Sequence, residues 1–140
     1  MPIEGHILHN GMGRLWVCRG VLSGKDLIAN NERILSSKSY AGVRWLLIDE
    51  TEAALEISAA EIRTIREQDD RLAAVLPELV TAVVVPSDFG FGMARMWEIL
   101  TERPGWSTRA FRSRAEAEAW LRDEVRRKFA LELPKNLGSP

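Results

Sequence analysis

Two histidines and one cysteine are the first residues to test for chemistry. His6 and His9 stand three apart on a stretch that reads as a strand, so they point to opposite faces and do not suggest a metal shared with Cys18. No serine sits in a nucleophile-elbow pattern for either histidine to serve. Cys18 is the single cysteine of 140 residues, which excludes an internal disulfide. Beside Leu15, Trp16 and Val17 it reads as a small core residue. Neither catalysis, nor a metal, nor a cofactor is expected.

Charge and hydroxyl groups are more suggestive. Asp49, Glu50 and Thr51 close the apolar run Val43 to Ile48, and Ser58-Ala59-Ala60-Glu61 has capping-box spacing. Ser87-Asp88 leads into Phe89-Gly90-Phe91-Gly92. If the apolar runs at 43–49 and 79–85 are parallel strands, their carboxyl ends and the following helix starts share one pole. Asp49, Ser58, Ser87, Asp88 and Arg95 then form a polar rim, the natural ligand edge of an open α/β sheet. Helix amino termini there favour anions, while the acidic loop expected over 51–56 repels them, so a nucleotide is not expected. Ser58 has two readings, a helix N-cap paired with Glu61 or a phosphorylation switch at a helix start. Asp49 reads as a strand-end cap in preference to a catalytic group.

The 89–100 segment offers a different chemistry. Glycines on both sides of Phe91 give the backbone freedom, and Met93, Met96 and Trp97 make an adaptable apolar surface. Phe89, Phe91, Met93, Met96 and Trp97 are therefore candidate ligand-binding residues beneath a hinged lid, with plain core packing as the competing account. The Gly-x-Gly element lacks the lysine and third glycine of a phosphate loop.

The elements that position these groups follow from pattern. Length and an apolar share of 46% fit one domain over 1–130, followed by a tail over 131–140. Nineteen basic against twenty acidic residues give no bulk charge for nucleic acid. Short strands over 5–9 and 14–19 flank Asn10-Gly11, a hairpin signal. Ser23 with Asp26 starts a helix to about Ser37. Residues 43–49 and 79–85 are unalternating apolar runs, which suit strands covered on both faces. Ser58 opens a helix in which Asp69 falls in the middle of the apolar stripe. Either the helix breaks near Asp69-Asp70 or a carboxylate is partly buried, and the cost of burial favours the break. A loop over 87–92 feeds a helix from Met93. Trp106 to Arg112 is an edge strand, and Ser113 with Glu116 opens a last helix with Ala117, Trp120, Leu121 and Val125 inward. No stretch is apolar and long enough to span a bilayer, so a reducing cytoplasmic location is expected, with peripheral membrane contact left open.

Several words of the sequence together resemble the SpoIIAA-like family of bacterial proteins, relatives of the STAS domains. They are RWLLIDE (44–50), EISAAEIRTI (56–65), VVPSDFGFGMARMWEIL (84–100) and GWSTRAFRSRAEAEAWL (105–121). The resemblance implies a (βα) superhelix: a mixed, mostly parallel α/β sheet of about five strands with an antiparallel N-terminal strand and about four helices. Anti-sigma factor antagonists of the STAS type carry an Asp-Ser-Ser-Gly element whose serine is phosphorylated. Ser58 falls on that serine, but Ile57 and Ala60 replace the Asp and the Gly. This branch is also likened in fold to CRAL-TRIO lipid-binding domains, in which a mobile helix could open an apolar cavity.

The expected function is a non-catalytic binding or regulatory module for a lipid or other amphiphile. The alternative is an anti-sigma antagonist-like interaction module switched at Ser58. An amphiphilic small molecule or membrane surface, a protein partner and a homodimer all remain as partners, and nucleic acid does not.

Overall fold

The computed structural model describes residues 2–138. Strands β1 (Ile3–Leu8) and β2 (Gly13–Ser23) pair antiparallel around a turn at His9–Gly11 in which His9, Asn10 and Gly11 all have positive φ. The Asn-Gly signal thus does what hairpin chemistry requires of it. From β2 onward the chain repeats one unit: α1 (Gly24–Leu35), β3 (Trp45–Glu56), α2 (Ala59–Val75), β4 (Leu79–Val84), α3 (Asp88–Leu100), β5 (Trp106–Phe111) and α4 (Arg114–Phe129). The sheet order is β1-β2-β3-β4-β5, with β2 to β5 all parallel.

Crossovers of one hand, repeated in one direction along a sheet, leave successive helices on the same face. Accordingly α1, α2 and α3 cover the face that carries Trp16, Leu46, Ile48 and Val83. Helix α4 covers the other, where Leu15, Trp45, Leu47, Val80 and Ala82 meet Ala117, Leu121 and Val125. Two-sided cover explains why β3 and β4 read as continuous apolar runs.

Each helix starts where a serine can cap it. Ser23 and Ser58 form reciprocal capping boxes with Asp26 and Glu61, and Ser113 accepts the Glu116 amide.

Four expectations need correction. Helix α2 runs unbroken through Asp69 and Asp70, because the buried Asp69 carboxylate has found a donor. Helix α3 begins at Asp88, so Phe89 to Gly92 form its first turns and not a loop. Strand β3 continues to Glu56, paired residue for residue with β2, where an acidic loop is expected. Finally, residues 131–138 lie against the α4 face: Leu133 and Leu137 are buried there. Arg122 donates to the carbonyls of Pro134 at 2.8 Å and Lys135 at 2.9 Å, and Arg114 to that of Gly138 at 2.8 Å. The remainder of the expected tail, 139–140, lies outside the described residues.

Leu137 is 1% exposed, so Leu137→Ala should cost about 2–4 kcal/mol in urea unfolding. A segment that merely trailed from the domain would show no change.

Candidate functional site

Helix α2 makes its contacts chiefly with α1 and α3 and few with the sheet. Its inward residues Ile62 and Ile65 pack with Leu27 and Ile28 of α1 and with Met93, Met96 and Trp97 of α3. It therefore rides above the gap between its two neighbours. Helix α3, in turn, is buried along Gly90 and Ala94, two small residues one turn apart. A Cβ at Gly90 would lie 2.4 Å from Val85 Cγ1, so the helix start sits almost on the end of β4. Small residues on α3 and a raised α2 leave a cavity of about 90 Å³ between helices and sheet. Leu46 and Ile48 form its floor, and Ile62, Ile65, Met93 and Trp97 are among its walls.

Two carboxylates, Glu50 and Asp69, line this mostly apolar space, with Asn31 and Thr81 as its other non-aromatic polar residues. Glu50 reaches it by plain alternation, two residues beyond Ile48, and a bulge follows. Val17 pairs with Asp49 and Arg19 with Glu52, so Cys18 alone on β2 opposes Glu50 and Thr51 on β3. The extra residue shifts the alternation beyond Glu50, so that Ala53 and Leu55 follow it inward. Glu50 is 6% exposed, and its Oε1 has no hydrogen-bond partner among the described residues. Burial, with the neighbouring Asp49 charge, pushes its pKa up to about 7. Burial likewise raises Asp69 to about 6, although the Trp97 indole N–H donates to its Oδ2 at 2.9 Å and Arg103 lies near. Arg103 itself pairs with Asp70 at 2.8 Å.

Asp49 shows the opposite behaviour one residue away. It points to the α4 face, where burial opposes ionisation but is outweighed by the Thr51 amide and hydroxyl and by Arg114 at 3.1 Å. Its carboxyl is held below the usual range.

Of the residues expected to bind a ligand, Met93 and Trp97 line the cavity. Met96 packs in the α2–α3 cluster, Phe91 packs on the sheet beneath the Arg112 guanidinium, and Phe89 is exposed. The expected polar rim is dispersed into local partnerships. Ser58 and Ser87 cap α2 and α3, Asp88 pairs with Arg112 at 2.6 Å, and Arg95 pairs with Glu98 at 3.0 Å. By sequence Glu50 reads as one of the strand-end groups gathered with Asp49 at the polar rim, and a helix break at Asp69 keeps that residue out of the apolar stripe. Asp69 at the centre of an apolar stripe was the available signal. Cys18 is buried beside Glu50, and burial pushes its thiol up. His9 Nδ1 accepts the Trp45 indole N–H at 3.2 Å. Among the described residues no three His, Cys, Asp or Glu side chains cluster as metal ligands, and no helix is long and apolar enough to cross a membrane.

This architecture is that of known proteins. The anti-sigma factor antagonist SpoIIAA in its unphosphorylated form matches with a TM-score of 0.54 and 14% identity, over 89% of this chain and 97% of that one. The phosphorylated form of the Bacillus cell fate determinant SpoIIAA gives 0.52 and 13%, over 86% and 99%. An uncharacterized Shewanella loihica protein with a SpoIIAA-like fold gives 0.49 and 20%, over 85% and 91%. No protein-family model and no curated protein matches the chain. The fold is therefore SpoIIAA-like, the mixed five-stranded sheet and four helices that the sequence words imply.

The raised carboxyls make a signed prediction. A Glu50 pKa of about 7 in the folded state, against 4.5 for the ordinary group, means that its neutral form costs nothing in acid. Stability then falls as pH rises from 4.5 toward 7, by on the order of 3 kcal/mol from this group. Glu50→Gln should be the more stable protein at about pH 8 and lose less between about pH 5 and pH 8, read by denaturant unfolding at both.

Proposed function

We propose that this chain is a non-catalytic binding and regulatory module whose ligand, a small amphiphile, lodges beneath α3. The observation that carries this reading is the cavity itself, apolar over nearly all its wall yet lined by Glu50, whose Oε1 has no partner among the described residues. Ligand sites in small domains have that composition, an apolar lining with a few orienting polar groups. Size limits the guest. About 90 Å³ is less than the ~150 Å³ of a cavity that accepts benzene, so an acyl chain requires α3 to shift. Contact with a membrane surface belongs to this proposal through Phe89 and Ile99, the exposed large apolar side chains of α3.

Catalysis has little to work with here. The thiol is buried, its ionisation opposed by its surroundings, and His9 is engaged by Trp45. The fold shared with a protein named as an anti-sigma factor antagonist supports regulation over turnover.

A second reading, a protein-interaction module switched at Ser58, is favoured by one observation. Ser58 is exposed at the start of α2, on a fold that SpoIIAA also displays in a phosphorylated form. Against it, the Glu61 carboxylate accepts the Ser58 N–H at 2.9 Å and would face the added phosphate. A protein partner or a second copy of the chain would be the target of such a switch.

The first reading is tested with protein purified without detergent, by thermal unfolding in n-butanol and by native mass spectrometry. Wild type should be stabilised, and Ala94→Leu, which fills the cavity from α3, should not respond. Absence of any bound or bindable small molecule in wild type removes the proposal. For the second reading, Ser58→Ala should lose about 1 kcal/mol as a lost cap. Intact-mass analysis from cells that finds no phosphate on Ser58 ends it.

A further inference from the structure

The cavity is asymmetric in charge. Its lining includes Glu50 and Asp69, and among the described residues no arginine, lysine or histidine lines it. Asp69 already holds the Trp97 N–H, and Asn31 donates to the Gln68 side-chain oxygen at 3.1 Å. Glu50 differs from both, because its buried Oε1 holds nothing. A buried acceptor left unmade is costly, and plain strand alternation puts Glu50 on the same face as Leu46 and Ile48, the floor of the cavity.

We infer that the cavity selects a small aliphatic amine, its ammonium hydrogen-bonded to Glu50 and its apolar body laid along Ile48, Leu55 and Met93. The inference rests on the ligand-binding reading above and adds the chemical class of the guest. An ammonium supplies what the site lacks, a donor and a positive charge, and leaves the apolar wall for the rest of the molecule. A carboxylate-bearing ligand of the same shape would set like charge against Glu50 and find no cation in the lining. A neutral alcohol would occupy the space with a hydrogen bond of ordinary strength.

The experiment compares n-butylamine, n-butanol and butyrate, equal in length and different in head group, by NMR titration of wild type and Glu50→Gln at about pH 8, above the Glu50 pKa of about 7. The amine should bind wild type tightest and butyrate weakest. Hydrogen bonds to charged groups are worth enough that Glu50→Gln should weaken the amine roughly ten-fold or more while leaving n-butanol unchanged. Amine binding that equals butanol binding, or that survives Glu50→Gln undiminished, overturns the amine assignment while leaving the cavity as a ligand site. Failure of all three probes to bind wild type overturns both. Ala94→Leu serves as the occupancy control: amine shifts that persist in it place the binding elsewhere and reject the assignment.

Discussion

One hydrogen bond, from the Trp97 indole to the Asp69 carboxylate, ties α3 to α2, as Gln68 ties α2 to α1 through Asn31 and the Ile28 carbonyl. A carboxylate in the middle of an apolar helix stripe is tolerable only if a donor is brought to it, because desolvation otherwise costs several kcal/mol. Indole N–H is a donor and nothing else, so it suits the task. Meeting that demand fixes α3 against α2 at the level of Asp69. Arg103 then closes the same corner, paired with Asp70 and lying over the Trp106 ring. With α2 held to its neighbours in this way, it does not settle onto the sheet, and the space beneath it persists.

Asp49 and Glu50 show how strongly a pleat can separate adjacent residues. One carboxyl is stabilised as an anion by three groups around it, and the other is driven toward neutrality by its surroundings. The two faces of β3 thus have different chemical roles. The Asp49 face is structural, bonded through Arg114 to the C-terminal segment. The Glu50 face is the one with room and with an unmet acceptor.

Much of the architecture was legible because it rests on local rules. Capping serines at 23, 58 and 113, the Asn10-Gly11 turn and the two apolar runs each say one thing about the backbone, and the parallel pairing of β3 with β4 follows from their order. What was hidden depends on residues meeting across space. The bulge after Asp49 changes the parity of β3, so the alternation of Glu52 to Glu56 runs out of phase with that of Leu46 to Glu50 and does not read as the same strand. The Phe-Gly-Phe-Gly word looks like a loop by propensity, yet Gly90 is there because β4 leaves no room for a side chain. Asp69 argues for a break until Trp97, twenty-eight residues on, is seen beside it. The cavity was expected beneath 89–100, but the group that gives it polarity was assigned to an outer rim.

The arginines that hold residues 133–138 do so almost wholly through main-chain oxygens. Every amino acid supplies such an oxygen, so this grip recognises the course of the backbone and is indifferent to which side chains ride on it. Between the two anchoring leucines the chain is accordingly free to vary at Pro134 and Lys135, whereas Asn136 accepts the Gly138 N–H at 3.0 Å and shapes the turn that follows. Loss of Arg122 on α4, by contrast, would release several residues at once from a distance of more than ten positions in sequence.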